Sequence, residues 1–150
     1  MTRNPADKGR QITTAEGTFT STEFHPAEEK AAFVKWLKRF VKNGCPANSF
    51  RKSMYYYCMN IFGHIAHYDI GGYYEEWFSS PERIRAWLEW AVRADAVGDP
   101  SYCHSDVERA VKQWIAESGV LDRATQTCDA RLEAAERMEL ARLKAKYEAA

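Results

Sequence analysis

Residues 26–44, PAEEKAAFVKWLKRFVKNG, have the pattern of one amphipathic helix with a marked beginning and end. Pro26 suits a first helical position, the acidic Glu28-Glu29 pair favours the positive end of the helix dipole, and Asn43-Gly44 supplies a stop. At about 100° per residue, one side carries the apolar group Phe33, Val34, Trp36, Leu37, Phe40 and Val41. The other side carries Lys35, Lys38, Arg39 and Lys42. The segment therefore predicts a helix that packs through one face only.

A second helix is predicted to follow the Cys45-Pro46 turn. Asn48 or Ser49 can cap it, and it should run to about Asp69, where Gly71-Gly72 breaks it. Its main stripe contains Phe50, Met54, Tyr57, Cys58, Ile61, Ile65 and Tyr68. Apolar groups continue nearly all the way round, which is typical of a central, buried helix.

The next part of the chain predicts a connecting turn and two further helices. Tyr73 to Phe78 should form a short helical turn. Ser80 followed by Pro81 then begins a helix that ends near residues 98–100. Residues 105–108, SDVE, match a capping box and open a helix that ends at Gly119.

Both ends of the chain have distinct compositions. Residues 1–25 are rich in Thr, Gly, Ser and Pro without helical periodicity, so we expect a flexible arm or, around Glu16-Gly17, a short β-hairpin. Residues 122–150 are rich in Ala, Arg and Glu and predict a long helix, although their apolar positions hold no strict heptad. Residues 26–150 are expected to form a single helical domain.

These segments together predict an all-α protein, an irregular bundle of about five helices built around residues 50–69. Hydrophobic residues make up 45% of the 150-residue chain, which is too apolar for a disordered one. With 21 basic and 21 acidic residues the net charge is zero, which excludes the overall basicity of many nucleic-acid binders.

The compartment is expected to be the cytoplasm. The N-terminus is polar, and no apolar run approaches the roughly 20 residues that cross a bilayer, so no membrane partner is expected. The four cysteines contain no Cys-x-x-Cys pair, which argues against a zinc ribbon or a thioredoxin-type site. We expect them to remain thiols in a reducing compartment.

Aromatic residues lead to our first functional hypothesis, a non-enzymatic module that binds another protein. Trp90 lies opposite the apolar stripe of its own helix, where a charged residue is usual, and exposed aromatic patches often mark contact sites. The expected partner-binding residues are Tyr73, Tyr74, Trp77 and Trp90. The alternative is that the C-terminal helix covers Trp90. Because small neutral helical proteins include many accessory and inhibitory proteins of mobile elements, that role is our narrower expectation. A homodimer through the C-terminal helix is a further expectation.

Basic residues support a second hypothesis, a nucleic-acid binder that uses the outer face of the first helix. Residues 26–70 carry a net charge of about +4, and residues 71–120 one of about −4. The set expected to contact phosphate is Lys35, Lys38, Arg39, Lys42, Arg51 and Lys52. A lysine-rich outer face that is simply solvated is the alternative interpretation.

A polar strip on the second helix supports a third hypothesis, a metal-binding or catalytic histidine site. At helical spacing Ser53, Asn60, His64 and His67 project to one side. A metal site needs a third protein ligand, which the sequence offers only if Cys103-His104 approaches from another element. The alternative is that the histidines form hydrogen bonds inside an interface. No nucleophile elbow, phosphate-binding loop or His-Glu-x-x-His motif is present, so we expect no enzyme, metal or cofactor.

Overall fold

The computed structural model describes residues 8–62, 69–93 and 104–148, which form a β-hairpin and six α-helices. The all-α class with a short hairpin arm is confirmed. The strands are β1 (Gln11–Thr14) and β2 (Gly17–Thr20). The helices are α1 (Ala27–Lys42), α2 (Lys52–Phe62), α3 (Ile70–Trp77), α4 (Pro81–Arg93), α5 (Ser105–Ser118) and α6 (Val120–Glu148), and a 3₁₀ turn at Ala47–Ser49 precedes α2.

The N-terminal hairpin is bound to the helical body by one aromatic side chain. Its antiparallel strands pair Thr14 with Gly17, so Ala15 and Glu16 form a two-residue loop. Gly17 has a φ of +138°, a conformation that side chains disfavour. Phe19 is fully buried, and β2 packs on α1 and α5. This part of the expected arm therefore contributes to the core.

Helix α1 has the predicted boundaries. It begins directly after Pro26 and ends at Lys42, and Gly44 takes a left-handed conformation with a φ of +83°. Eight of its sixteen residues are buried, including the charged Lys30. The predicted apolar face packs inward with one exception, because Trp36 is only partly buried.

The sequence predicted that Gly71 and Gly72 break the chain between two helices, but they do not. They lie in the first turn of α3, where the Asp69 carboxylate accepts a hydrogen bond from the Gly72 backbone N–H. An aspartate cap satisfies one of the free N–H groups at a helix N-terminus, and it starts a helix despite the two glycines that follow. The interruption therefore comes before the glycines, at Asp69.

Ser80 caps α4 as predicted, since its hydroxyl accepts a hydrogen bond from the Arg83 N–H at 3.2 Å. The capping box predicted at residues 105–108 is wrong. The N-cap residue of α5 is His104, whose side chain makes no capping hydrogen bond, and Ser105 already lies inside the helix. The carboxylate of Asp106 turns into the core. Gly119 ends α5 as predicted, with a φ of +75°.

The hydrophobic core is formed by residues of β2 and the helices. Helix α4 packs against both α5 and α6, while α1 packs against α5 and the hairpin. Many of its contacts are aromatic, such as the edge-on pair Phe40–Phe78, with ring centroids 5.1 Å apart. None of the described helices is long and apolar enough to cross a membrane.

Helix α6 belongs to the body only in its first third. Cys128 is its last buried residue, and every residue from 129 to 148 is exposed. At about 1.5 Å per residue, these 20 residues are roughly 30 Å long, and Arg131 near their start pairs with Glu82 of α4. The predicted long C-terminal helix is thus present, and most of its length is exposed.

Candidate functional site

A groove of about 1100 Å³ lies between the second half of α1 and the first turns of α4 and α6. The end of α3 closes one side, and Trp114 of α5 contributes to its wall. Three separate helix ends meet here, so the groove exists only in the folded chain.

The walls of this groove carry one sign of charge. Four members of the predicted basic set, Lys35, Lys38, Arg39 and Lys42, line it, and Arg123 of α6 joins them. No aspartate or glutamate is among the described lining residues. The four α1 side chains form no hydrogen bond or ion pair with another described residue. Arg131 and Arg137, by contrast, each pair with a glutamate. Groups of one sign that lack partners raise the local potential for an anion.

The floor of the groove is apolar and belongs to the core. It is formed by Val41, Phe78, Ile84, Leu88, Trp114 and Val120. Trp114 and Ile84 are partly buried, which leaves part of each side chain facing the groove. An apolar floor with a cationic rim suits a ligand that has both apolar and acidic groups.

Arg51 and Lys52 do not line the groove, although the sequence placed them with the other four. Both are exposed at the start of α2. The ammonium group of Lys52 lies 5.8 Å from the ring centroid of Tyr56, a cation–π distance. The predicted basic set therefore divides into four residues at the groove and two outside it.

A smaller hollow of about 320 Å³ shares Lys38 and Trp114 with the groove and reaches the loop of the hairpin. Glu16 and Glu117 line it. The charge on the wall thus changes sign beyond Lys38, which sets a boundary for an anionic ligand.

The four aromatic residues predicted to bind a partner do not form one patch. Tyr73 is buried, and its hydroxyl accepts a hydrogen bond from the Trp87 indole N–H at 3.3 Å. Trp77 is partly buried, and Tyr74 lines the groove while donating its hydroxyl hydrogen bond to the Cys45 carbonyl. Trp90 is 37% exposed, and its indole N–H donates to the Phe62 carbonyl at 2.7 Å. Its ring therefore lies at the surface, held by one end.

The predicted polar strip is only partly described. Ser53 and Asn60 are exposed on α2, whereas His64 and His67 lie outside the described residues, as does Cys103. No group of three metal-ligating side chains occurs within residues 8–62, 69–93 and 104–148. The histidine-site hypothesis stays a prediction.

A histidine pair that the sequence did not suggest lies where the chain enters α1 and α5. The rings of His25 and His104 have centroids 4.5 Å apart, and Tyr57 lies 5.2 Å from the first and 5.6 Å from the second. Tyr57 donates a hydrogen bond to the Glu29 carboxylate at 2.9 Å. His25 Nδ1 and His104 Nε2 are buried and have no hydrogen-bond partner among the described residues.

Both imidazoles are held in their neutral form. Burial lowers the pKa of His104 to about 4, and a proton on the neighbouring His25 or the charge of Lys30 would repel a proton on His104, which acts in the same direction. Burial also lowers the pKa of His25, partly offset by Glu29. Burial, followed by the nearby Glu29 charge, raises the pKa of Tyr57.

Beside this pair is a buried ion pair that connects three elements. The Lys30 ammonium lies 3.0 Å from the Asp106 carboxylate and donates a further hydrogen bond to the Thr20 carbonyl at 2.7 Å. Asp106 in turn accepts the Thr20 backbone N–H at 2.9 Å. The pair therefore joins α1, α5 and β2, and we assign it a structural role.

One signal in the sequence could have located Lys30. It precedes Val34, Leu37 and Val41 at helical spacing, so it continues the buried face of α1. A charge on such a face requires a buried partner.

The three described cysteines, Cys45, Cys58 and Cys128, are buried free thiols. Burial raises the pKa of Cys45 to about 12 and also raises that of Cys58. Neither is suited to act as a thiolate nucleophile at neutral pH.

Comparisons with known proteins give this chain no relative: no protein-family model, curated protein or solved structure matches it.

Proposed function

We propose that the protein is a binding module that holds an acidic, partly apolar segment of another protein in the groove. The observation that supports this most directly is the lining itself, five basic side chains around an apolar floor without a described carboxylate. Amphipathic helices dock in such grooves through their apolar face, and here acidic residues on the flanks of the helix would meet the rim.

The size of the groove supports a peptide segment. A volume of about 1100 Å³ is at the upper end of the range for small-molecule sites, and the groove is open along one side. The floor residues Ile84, Leu88 and Val120 are aliphatic and present no flat ring on which a base could stack. Of the aromatic lining residues, Phe78 is only 2% exposed, which leaves Trp114 and Tyr74, and the Tyr74 hydroxyl already donates a hydrogen bond.

The aromatic surface near Trp90 remains a second contact region in this proposal. An accessory or inhibitory role in a mobile element would be consistent with a small binding module, and it stays a prediction from composition. Location in the cytoplasm likewise stays a prediction.

The direct test uses a fluorescein-labelled synthetic helical peptide with Leu on one face and Glu on the other, followed by anisotropy. We expect saturable binding that weakens as salt rises, and at least about tenfold weaker binding by a Lys38→Glu/Arg39→Glu variant. The matched control is Arg51→Glu/Lys52→Glu, which reverses two charges of the same basic set outside the groove and should leave binding within about twofold.

A second probe distinguishes nucleic acid from protein. Labelled oligothymidine at the same ionic strength should bind more weakly than the peptide, since the whole chain has no net charge. A second peptide with Gln in place of Glu should lose most of its affinity. Tighter binding of the oligonucleotide, with equal loss in the Lys38/Arg39 variant, would replace our proposal with the nucleic-acid one. Equal binding by both double variants would exclude the groove as the site.

A further inference from the structure

The exposed two thirds of α6 carry an apolar stripe that lies beside the direction of the buried residues. Within the body, Leu121, Ala124 and Cys128 face the other helices. At about 100° per residue, Leu132, Leu140, Leu143 and Tyr147 fall within an arc of about 80°, and Cys128 lies about 40° from its nearer edge. All four are exposed, Leu132 by 60% and Tyr147 by 71%. A stripe like this on an isolated helix is typically covered by another chain.

The charges along this segment are divided between its two ends. Residues 129–139 carry four acidic and two basic side chains, whereas residues 140–148 carry three basic and one acidic. A second copy laid antiparallel would place the acidic end of one helix beside the basic end of the other. A parallel copy would place Glu136, which lies in the middle of the stripe, against Glu136 of its neighbour.

We propose that the protein forms an antiparallel homodimer through residues 129–148, with Leu132 of one copy beside Tyr147 of the other. This register also brings Leu143 opposite Glu136. In an antiparallel coiled coil, residues on one edge of the seam face residues on the same edge of the second copy. The two residue numbers of each facing pair therefore add up to the same value along that edge.

One edge of the seam fits this register. Along that edge Glu133 meets Lys144 of the second copy. The pair recurs by symmetry, which gives two ion pairs between the copies. Within a single copy Glu133 also bonds to Arg137 at 2.7 Å, so Lys144 of the second copy would share a carboxylate that already has one basic neighbour.

Glu136 limits the affinity of the dimer and fixes its orientation. The Glu136 carboxylate lies opposite Leu143, and burying its charge against an apolar side chain would be costly, which weakens association of the two helices. A polar residue at a seam position commonly specifies alignment at the expense of stability. The dimer should therefore dissociate at low protein concentration.

Sedimentation equilibrium on the full chain is the first test. We expect a monomer–dimer equilibrium, weakened about tenfold or more by Glu133→Lys and restored by adding Lys144→Glu. The two positions are 11 residues apart in one helix, about 16 Å, so the rescue cannot arise within one copy. Glu136→Leu should tighten the dimer about tenfold by placing an apolar side chain in the seam.

Crosslinking then determines the orientation. A mixture of Leu132→Cys and Tyr147→Cys copies should form an intermolecular disulfide on mild oxidation, while each variant alone should give no more than the wild-type background from native cysteines. Circular dichroism confirms that the variants keep their helix. A monomer at millimolar concentration, crosslinking of Leu132→Cys to itself, or failure of Lys144→Glu to rescue would each overturn the proposal.

Discussion

Lys30 and Asp106 are 76 residues apart in the chain, yet the ammonium of one lies 3.0 Å from the carboxylate of the other, and both side chains are withdrawn from solvent. The Asp106 carboxylate also accepts a hydrogen bond from the Thr20 N–H, and the Lys30 ammonium donates one to the Thr20 carbonyl. A buried pair of this kind contributes little net stability compared with an apolar pair, but either partner left alone is costly.

We expect Lys30→Met to lower the free energy of unfolding by about 3–5 kcal/mol, because it leaves a carboxylate buried without its counter-charge. The double variant Lys30→Met/Asp106→Leu should recover much of that loss. It should stay about 1–2 kcal/mol below the wild type, since the Thr20 N–H then lacks an acceptor. Urea unfolding of the three proteins checks this. A double variant no more stable than Lys30→Met would show that the pair is not the main contact of either side chain.

The histidine pair predicts a loss of stability in mild acid. The pKa of His104 is about 4 in the folded chain, against 6.5 for an ordinary histidine. Between these two values the unfolded chain binds more protons, so stability is full above pH 6.5 and decreases as the pH falls toward 4. The groups that face the pair are Glu29, Lys30 and Asp106.

Replacing His104 by Gln should remove part of this dependence, about 2 kcal/mol between pH 7 and pH 4.5 after allowance for partial exposure. Urea unfolding at a series of pH values measures the slope. Since carboxylates titrate in the lower part of this range, the decisive quantity is the difference between the variant and the wild type. Identical slopes would mean that His104 is protonated in the folded chain as readily as in the unfolded one.

Phe19 tests whether the N-terminal arm is separate from the helical body. Its ring is fully buried against the body, so Phe19→Ala should lower the free energy of unfolding by about 3–5 kcal/mol. The matched control is Phe24→Ala, whose side chain is 47% exposed and should lose much less. Thermal unfolding of both variants compares them. Equal small losses would support the boundary at residue 25 that the composition predicts.

The turn between α5 and α6 depends on the conformation of Gly119. Its φ of +75° disfavours any side chain, so Gly119→Ala should lower the stability by about 1–2 kcal/mol. Gly71→Ala is the control, because Gly71 has no positive φ and an added Cβ would meet only the Asp69 carboxylate oxygen at 3.5 Å. That change should be neutral or slightly stabilising within the first turn of α3. Chemical denaturation distinguishes the two. A comparable loss in both would point to packing instead of backbone conformation.

Trp87 and Trp90 lie on one helix but should respond differently to truncation. Trp87 is fully buried, and Trp87→Ala should remove about 3–5 kcal/mol. Trp90→Ala should remove less, about 1–2 kcal/mol, because 37% of the residue is exposed in the folded protein. If Trp90 also binds a partner, its loss should weaken capture of that partner in a folded protein. A loss for Trp90 as large as that for Trp87 would place it in the core.

Local patterns predicted the helices wherever a cap and a periodic stripe agreed. The Ser80 cap of α4 and the glycine ends at Gly44 and Gly119 are of this kind, because each depends on residues within one turn. The start of α5 at residue 105 was also predicted, but the capping box there was wrong. The carboxylate of Asp106 binds a lysine far along the chain, and no local signal records that partner.

The groove could be predicted only in part. The basic face of α1 is a property of one helix, and four of its six expected members line the cavity. Arg123 and Trp114 join them because α5 and α6 fold back beside α1, which is a tertiary relationship. His25 and His104 were likewise missed as a pair, since 79 positions separate them and neither lies in a recognisable motif.

The position at which α6 leaves the body determines how far apart the two grooves of a dimer would lie. Thr127 lines the groove, and the exposed part of the helix begins two residues later. In the antiparallel register the two Thr127 residues would lie about 37 Å apart along the helix axis, each beside its own groove. A partner with two acidic segments at that spacing could occupy both grooves. Its second segment would then bind at an effective concentration near the millimolar range, so two weak contacts would give a long-lived complex.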